Sequence, residues 1–195
     1  LAVLEVDGAA HEEINEVLLA YNRANPENLL SVLCLLRLLG GHTGRGCGMP
    51  GRWAPPPAPL RLPAMADPGT LSPALHALLQ LVAAPGPPGS PRVVQSLYRH
   101  FTHRPAFLAL AVTLLRQCHD DGSIDRAVSQ LGVAMAEAAD EIAGQLTAPA
   151  APPAGIAPVC SRFAGGVIPQ MIVVGRLLDA AINGTERGVV VPGIA

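Results

Sequence analysis

The sequence predicts an all-α fold. Three observations carry that reading. Half of the residues are hydrophobic but only 3% are aromatic, so the core has to be built from Ala, Leu, Val and Ile. These apolar residues recur every three to four positions, the spacing of one helix face. No two segments alternate convincingly as a strand pair, so six or seven helices are expected.

A chain of 195 residues suits one ordinary domain or two small ones. A net charge of −2 and a pI near 6.3 argue against a nucleic-acid binder, which needs a basic face. All 13 basic side chains are Arg, beside 20 Pro and 20 Gly, a pattern of GC-rich coding rather than of function. Cys34, Cys47, Cys118 and Cys160 form no CxxC or CxxH pair, so no zinc site is expected. Cys34 and Cys118 stand in apolar helical contexts and read as buried thiols. No signal peptide is evident and no apolar run is expected to span a bilayer, so a reducing cytoplasm fits best. The chain starts at Leu1 rather than Met and reads as a fragment or a trimmed sequence.

The first helix is expected over 9–24. Ile14, Val17, Leu18 and Tyr21 share a face, and Glu12, Glu13 and Glu16 lie toward the positive end of the helix dipole. Asn25-Pro26 is expected to end it and open a second, with Asn25 as N-cap and Pro26 in the first turn. That second helix is apolar all round, which predicts burial on most sides, and Gly40-Gly41 closes it. The stretch 42–71 is rich in Pro and Gly and reads as a long crossing. Trp53 within it reads as a surface anchor.

Ser72-Pro73 opens the next helix, which closes before Pro85. His76 on it reads as structural. A short helix is expected over 92–101, then Thr102 as N-cap of a helix running to Cys118, with Pro105 just inside. Asp120-Asp121-Gly122 turns the chain. Ser123 is expected to cap a helix whose apolar stripe is Ile124, Val128, Leu131, Met135, Ala138 and Ile142, with Glu137, Asp140 and Glu141 solvated. After a Pro- and Ala-rich loop, two last helices run VCSRFAGG and IPQMIVVGRLLDAAI, ending at Asn183-Gly184.

YNRANPENLLSVLCLLRLLGG and RFAGGVIPQMIVVGRLLDAAING share an aromatic, a break with Pro, an apolar run and Arg-Leu-Leu. Arg37 and Arg176 lie 139 positions apart, Pro26 and Pro169 143. A period this long implies two copies of a helical subdomain. The expected division is 1–41 as the end of a first, incomplete repeat, 42–71 as linker and 72–195 as a second repeat.

In its motifs this arrangement resembles the group I 2-haloacid dehalogenases, the DehI-type family. The carriers are Tyr21 with Asn25-Pro26 and the apolar helix after them, the Pro-rich crossing, Ser96-Leu97-Tyr98-Arg99, Arg104-Pro105-Ala106-Phe107-Leu108 and the Pro169 helix. The resemblance implies two helical repeats forming a pseudo-dimer, with the site between them. It also implies hydrolysis by a water that an Asp activates and an Asn helps to hold. Neutral water needs such a base. The substrate carboxylate needs an anion site, which a helix start can supply.

Carried over residue by residue, Asn25 matches the family Asn, although by residue type alone it reads as a helix cap. The family Asp falls at Leu97, 72 positions later. Leucine accepts no proton, so the inherited mechanism loses its base. His100 is the candidate substitute, one helical turn away; His103 is the other nearby imidazole. Tyr21, Ser96, Tyr98, Arg99, Phe163 and Ile168 are the candidate substrate-binding residues. The expected function is a dehalogenase-like protein with a pocket for a small carboxylate or apolar ligand and impaired hydrolysis. The alternatives are an active haloacid hydrolase with another base, and a non-catalytic interaction domain presenting its polyproline segment. No cofactor, metal, nucleic acid or membrane partner is expected, and a homo-oligomer stays open.

Overall fold

The structure, a computed structural model, describes residues 7–42, 44, 62–84, 89, 92–146 and 155–184. Helices make up 79% of these residues and no strand occurs among them, so the all-α class holds. Cys47, Trp53, the prolines at 55–57 and the segments 1–6 and 185–195 lie outside the described residues.

Helix α1 (Gly8–Leu39) is the axis of the fold. Its 32 residues span about 48 Å at 1.5 Å per residue. Asp7 caps it, its carboxylate accepting the Ala10 N–H at 2.7 Å. The expected break at Asn25-Pro26 does not occur: Pro26 sits inside one continuous helix, and Asn25 is an interior, buried residue rather than an N-cap. The proline removes one backbone hydrogen bond and crowds the carbonyl one turn back, at a local cost of about 3 kcal/mol. Packing outweighs that cost. Leu18, Asn22, Asn25 and Leu29 keep helical spacing across the proline and form one buried face.

Around α1 stand α2 (Pro73–Val82), α3 (Ser96–Phe101), α4 (Pro105–Asp120), α5 (Ser123–Ala143), α6 (Ile156–Gly165) and α7 (Val167–Asn183). α1 packs directly on α3, α5, α6 and α7, while α2 packs on α4. One apolar core joins the first half of α1 to the rest. It contains Ile14, Val17 and Leu18, then Leu79, Leu97, Phe101, Leu108, Leu115, Ile124 and Val174. Phe101 and Phe107 meet edge to face at 4.9 Å.

The second half of α1 is less buried than its composition predicts. Only Leu29 and Cys34 are buried there, and the leucines around them are half-exposed. This half lies on the end of α5, where the Cys34 thiol is 3.9 Å from the Ala139 carbonyl. Arg37 forms a two-pronged ion pair with Asp140. Ala139 and Ala143 are the buried residues at this contact, and Ile142 is exposed, so the stripe on α5 is rotated from the expected one. Small side chains let the two helices approach closely.

Helix ends differ from the expected caps in three places. α3 starts at Ser96 because Val93 pairs antiparallel with Ala84, exchanging two N–H···O bonds of 2.9 Å. Thr102 does not cap α4; its hydroxyl donates back to the Arg99 carbonyl. Gly122, left-handed at φ 70°, takes the cap position of α5, and Ser123 is its first helical residue. Of the two thiols expected to be buried, Cys34 is, whereas Cys118 is half-buried. A short 3-10 turn, Pro68–Thr70, ends the crossing, and Ser72 caps α2 as expected.

One stretch differs from the sequence expectation in length and composition. Ile156–Asn183, 28 residues whose most apolar stretch has a mean hydropathy of 1.4, is by length and composition enough to cross a membrane. Gly166, at φ −96° and ψ −133°, interrupts it between α6 and α7. α7 buries Met171, Ile172, Val174, Gly175 and Leu178.

α7 approaches α1 at one point without a side chain. The Asn22 amide donates to the Gly175 carbonyl at 3.2 Å, and a Cβ on Gly175 would stand 2.2 Å from Asn22 Oδ1. Asn183 bridges the same helices further on, donating to Asn15 Oδ1 at 2.8 Å. Replacing Gly175 by Ala gains about 1 kcal/mol of helix propensity. It also displaces Asn22 and overpacks the contact, which costs about 1–3 kcal/mol. Gly175→Ala is therefore expected to lower the urea midpoint, and Asn22→Ala in the same chain to restore most of it.

Candidate functional site

Tyr21, Ser96, Arg99 and His100 gather where α3 lies across α1. Tyr21 and His100 meet edge to face, with ring centroids 5.8 Å apart. They come together because α3 is short and amphipathic. Leu97, Tyr98 and Phe101 point into the core, while Ser96 and Arg99 are half-buried beside α1. The turn after α3 is tied to α1 by Arg104, whose Nε donates to Glu13 Oε2 at 3.0 Å. Its Nη2 reaches the same oxygen.

Burial raises the Tyr21 phenol above its usual range, while the Ser96 hydroxyl and the Arg99 charge pull the other way. Burial lowers the His100 imidazole below its usual 6.5. The Pro63 backbone opposes that shift, and the charges of His103 and Arg99 add to it. His100 is therefore neutral at pH 7. It is buried, and its Nδ1 has no hydrogen-bond partner among the described residues. A neutral imidazole with an unpartnered nitrogen can accept a proton or a hydrogen bond.

Basic residues of α3 and of the turn after it also hold the end of the crossing. Arg99 donates to the Ala66 carbonyl from Nε at 3.0 Å and from Nη2 at 2.8 Å. His103 Nε2 meets the Ala64 carbonyl at 2.7 Å. Residues 63–66 thus form a strap fixed to α3 by backbone carbonyls. Two of the five Arg99 N–H groups are committed to it, and three are left for another acceptor.

Leu97 is fully buried and belongs to the apolar core with Leu18, Leu79, Leu108 and Leu115. Tyr98 is buried in the same core, and burial raises its phenol strongly. Asn25 lies one turn beyond Tyr21 on α1 and is buried. Phe163 and Ile168 are half-buried at the α6–α7 junction. Among the described residues no ring contact or hydrogen bond joins them to Tyr21, Ser96 or His100.

Two polar residues were not singled out by residue pattern. Asn22 Oδ1 and both side-chain polar atoms of Gln95 are buried without a partner among the described residues. Each unpaired group costs about 1–3 kcal/mol, which makes it a natural contact for water or a ligand. The spacing of Asn22 with Leu18, Asn25 and Leu29 was the available signal for the first. Gln95 carried no signal of burial in its residue type.

The His100 shift has a definite sign for stability. The unfolded imidazole takes up its proton near 6.5, the folded one only at lower pH. Between those values the unfolded chain holds more protons, so stability falls as pH drops through that window. The urea midpoint of the wild type is expected to fall from about pH 7 to about pH 5, and to fall less in His100→Phe.

No family model, no curated protein and no solved structure matches the chain.

Proposed function

We propose that the chain is a DehI-type dehalogenase-like protein in which the α1–α3 junction binds a small carboxylate or apolar ligand without hydrolysing it. On this reading the paired segments around Pro26 and Pro169 are two copies of one helical unit. The observation that carries the proposal is Leu97. It is fully buried in the apolar core, at the position where the resemblance calls for a carboxylate. A leucine there neither takes a proton from water nor tolerates water beside it.

Tyr21, Ser96 and Arg99 supply the polar side of the proposed site. The three uncommitted N–H groups of Arg99 suit a ligand carboxylate. Asn25, one turn along α1, adds an amide. Tyr98 serves as core rather than as a contact. The chemistry this leaves is recognition: charge from Arg99, hydrogen bonds from Ser96 and Tyr21, and apolar contact from the surrounding core.

A second reading keeps hydrolysis and makes His100 the base. What favours it is the neutral, buried imidazole with an unpartnered Nδ1. The two readings separate on halide release from 2-chloropropionate at neutral and alkaline pH. The binding reading expects no release above a heat-killed control, together with a rise in melting temperature on adding 2-chloropropionate or an apolar analogue. Release abolished by His100→Phe moves the assignment to the hydrolase. Leu97→Asp is expected to cost about 3 kcal/mol of stability, because the carboxyl enters an apolar core. If it neither gains halide release nor alters binding while remaining folded, the junction is not the site.

A further inference from the structure

A cleft of about 410 Å³ with mixed polar and apolar lining lies away from the α1–α3 junction, between the end of α2, the end of α4 and the start of α7. Arg92, Arg116, His119, Asp120, Gln80 and Gln170 supply its polar lining. Its construction is specific. The Ala84–Val93 pairing brings Arg92 back over the end of α2. There its Nε donates to the Ala83 carbonyl at 2.9 Å, and Nη2 reaches the same oxygen. Two of its five N–H groups are used, and the guanidinium is held in place with three to offer.

Arg116 and Asp120 stand one turn apart on α4, the spacing at which a helix surface usually pairs opposite charges. Here they are not paired, and Arg116 makes no ion pair among the described residues. His119 Nε2 and the Gln170 amide nitrogen are 3.3 Å apart. The cleft thus holds two guanidiniums and one carboxylate, with an imidazole and amides between them.

We infer that this cleft binds a small hydroxylated anion. Arg116 and Arg92 take the anionic group, as two guanidiniums do for phosphate or carboxylate. Asp120 accepts a hydrogen bond from the hydroxyl of the same molecule, which sets it apart from a bare anion. The volume suits a ligand of metabolite size. A phosphate monoester and a hydroxycarboxylate share this chemistry, and the two are told apart by direct comparison.

The test is calorimetric titration of the full chain with glycerol 3-phosphate, D-glycerate and inorganic phosphate. At least one hydroxylated anion is expected to bind saturably, more tightly than inorganic phosphate and more weakly as salt rises. Which of the two binds better identifies the anionic group. Arg116→Ala, a change at an exposed position, is expected to weaken that binding about tenfold or more with helicity unchanged. Asp120→Asn is expected to erase the preference for the hydroxylated anion over inorganic phosphate. No saturable binding at about 10 mM ligand, affinity unchanged by Arg116→Ala, or a preference that survives Asp120→Asn overturns the inference.

Discussion

The Asn22 amide reaches the Gly175 carbonyl only because Gly175 has no side chain. That contact brings α7 onto the middle of α1, one turn before Pro26. It lies where the proline leaves a backbone carbonyl of α1 without its helical partner. A helix weakened in that way needs support from outside. α7 gives it at Asn22, and α5 gives it further along through Cys34 and Arg37. With α1 kept whole, its first half can carry the core and its second half the α5 contact. α3 then has a continuous surface to lie across.

The position of α3 is determined from both sides. Leu97, Tyr98 and Phe101 anchor it in the core, and Arg99 and His103 bind the strap from the other side. Six residues are too few for a stable isolated helix, so these contacts supply nearly all of its stability. The same residues create the electrostatics of the junction. The core buries His100, and the neighbouring Arg99 and His103 disfavour its charge. Its neutrality is thus a consequence of how α3 is held.

Much of the helical pattern was legible in the chain, because apolar spacing reports directly on a buried face. α2, α4, α5 and α7 fall close to where that spacing puts them, while α6 starts at Ile156, three residues before the expected Val159 and with Pro158 in its first turn. The failures share a cause. At Asn25-Pro26 local chemistry signalled a break, while Leu18, Asn22, Asn25 and Leu29 continued one face across it; tertiary packing decided in favour of the face. Ile142 belonged to a plausible stripe on α5, but α1 approaches where Ala139 and Ala143 leave room. At the junction, Tyr21, Ser96, Arg99 and His100 were all named as candidates through the family resemblance. The strap was not visible, because it consists of backbone carbonyls and no residue type marks them.

Leu97 shows how core and chemistry compete for one position. A fully buried leucine contributes about 2–3 kcal/mol through the water it excludes. A carboxylate there would forfeit that and add its own desolvation cost, unless donors or water surrounded it. Burial would also raise its pKa, which makes a stronger base but disfavours the ionised form that must act. An Asp at this point therefore requires an opened, hydrated pocket, and a Leu allows the pocket to close. The core around residue 97 is closed, with Leu18, Leu79, Leu108 and Leu115 all buried in the same cluster. Of the polar side chains on α3, Ser96 and Arg99 retain solvent, and Arg99 keeps donors beyond those it gives to Ala66.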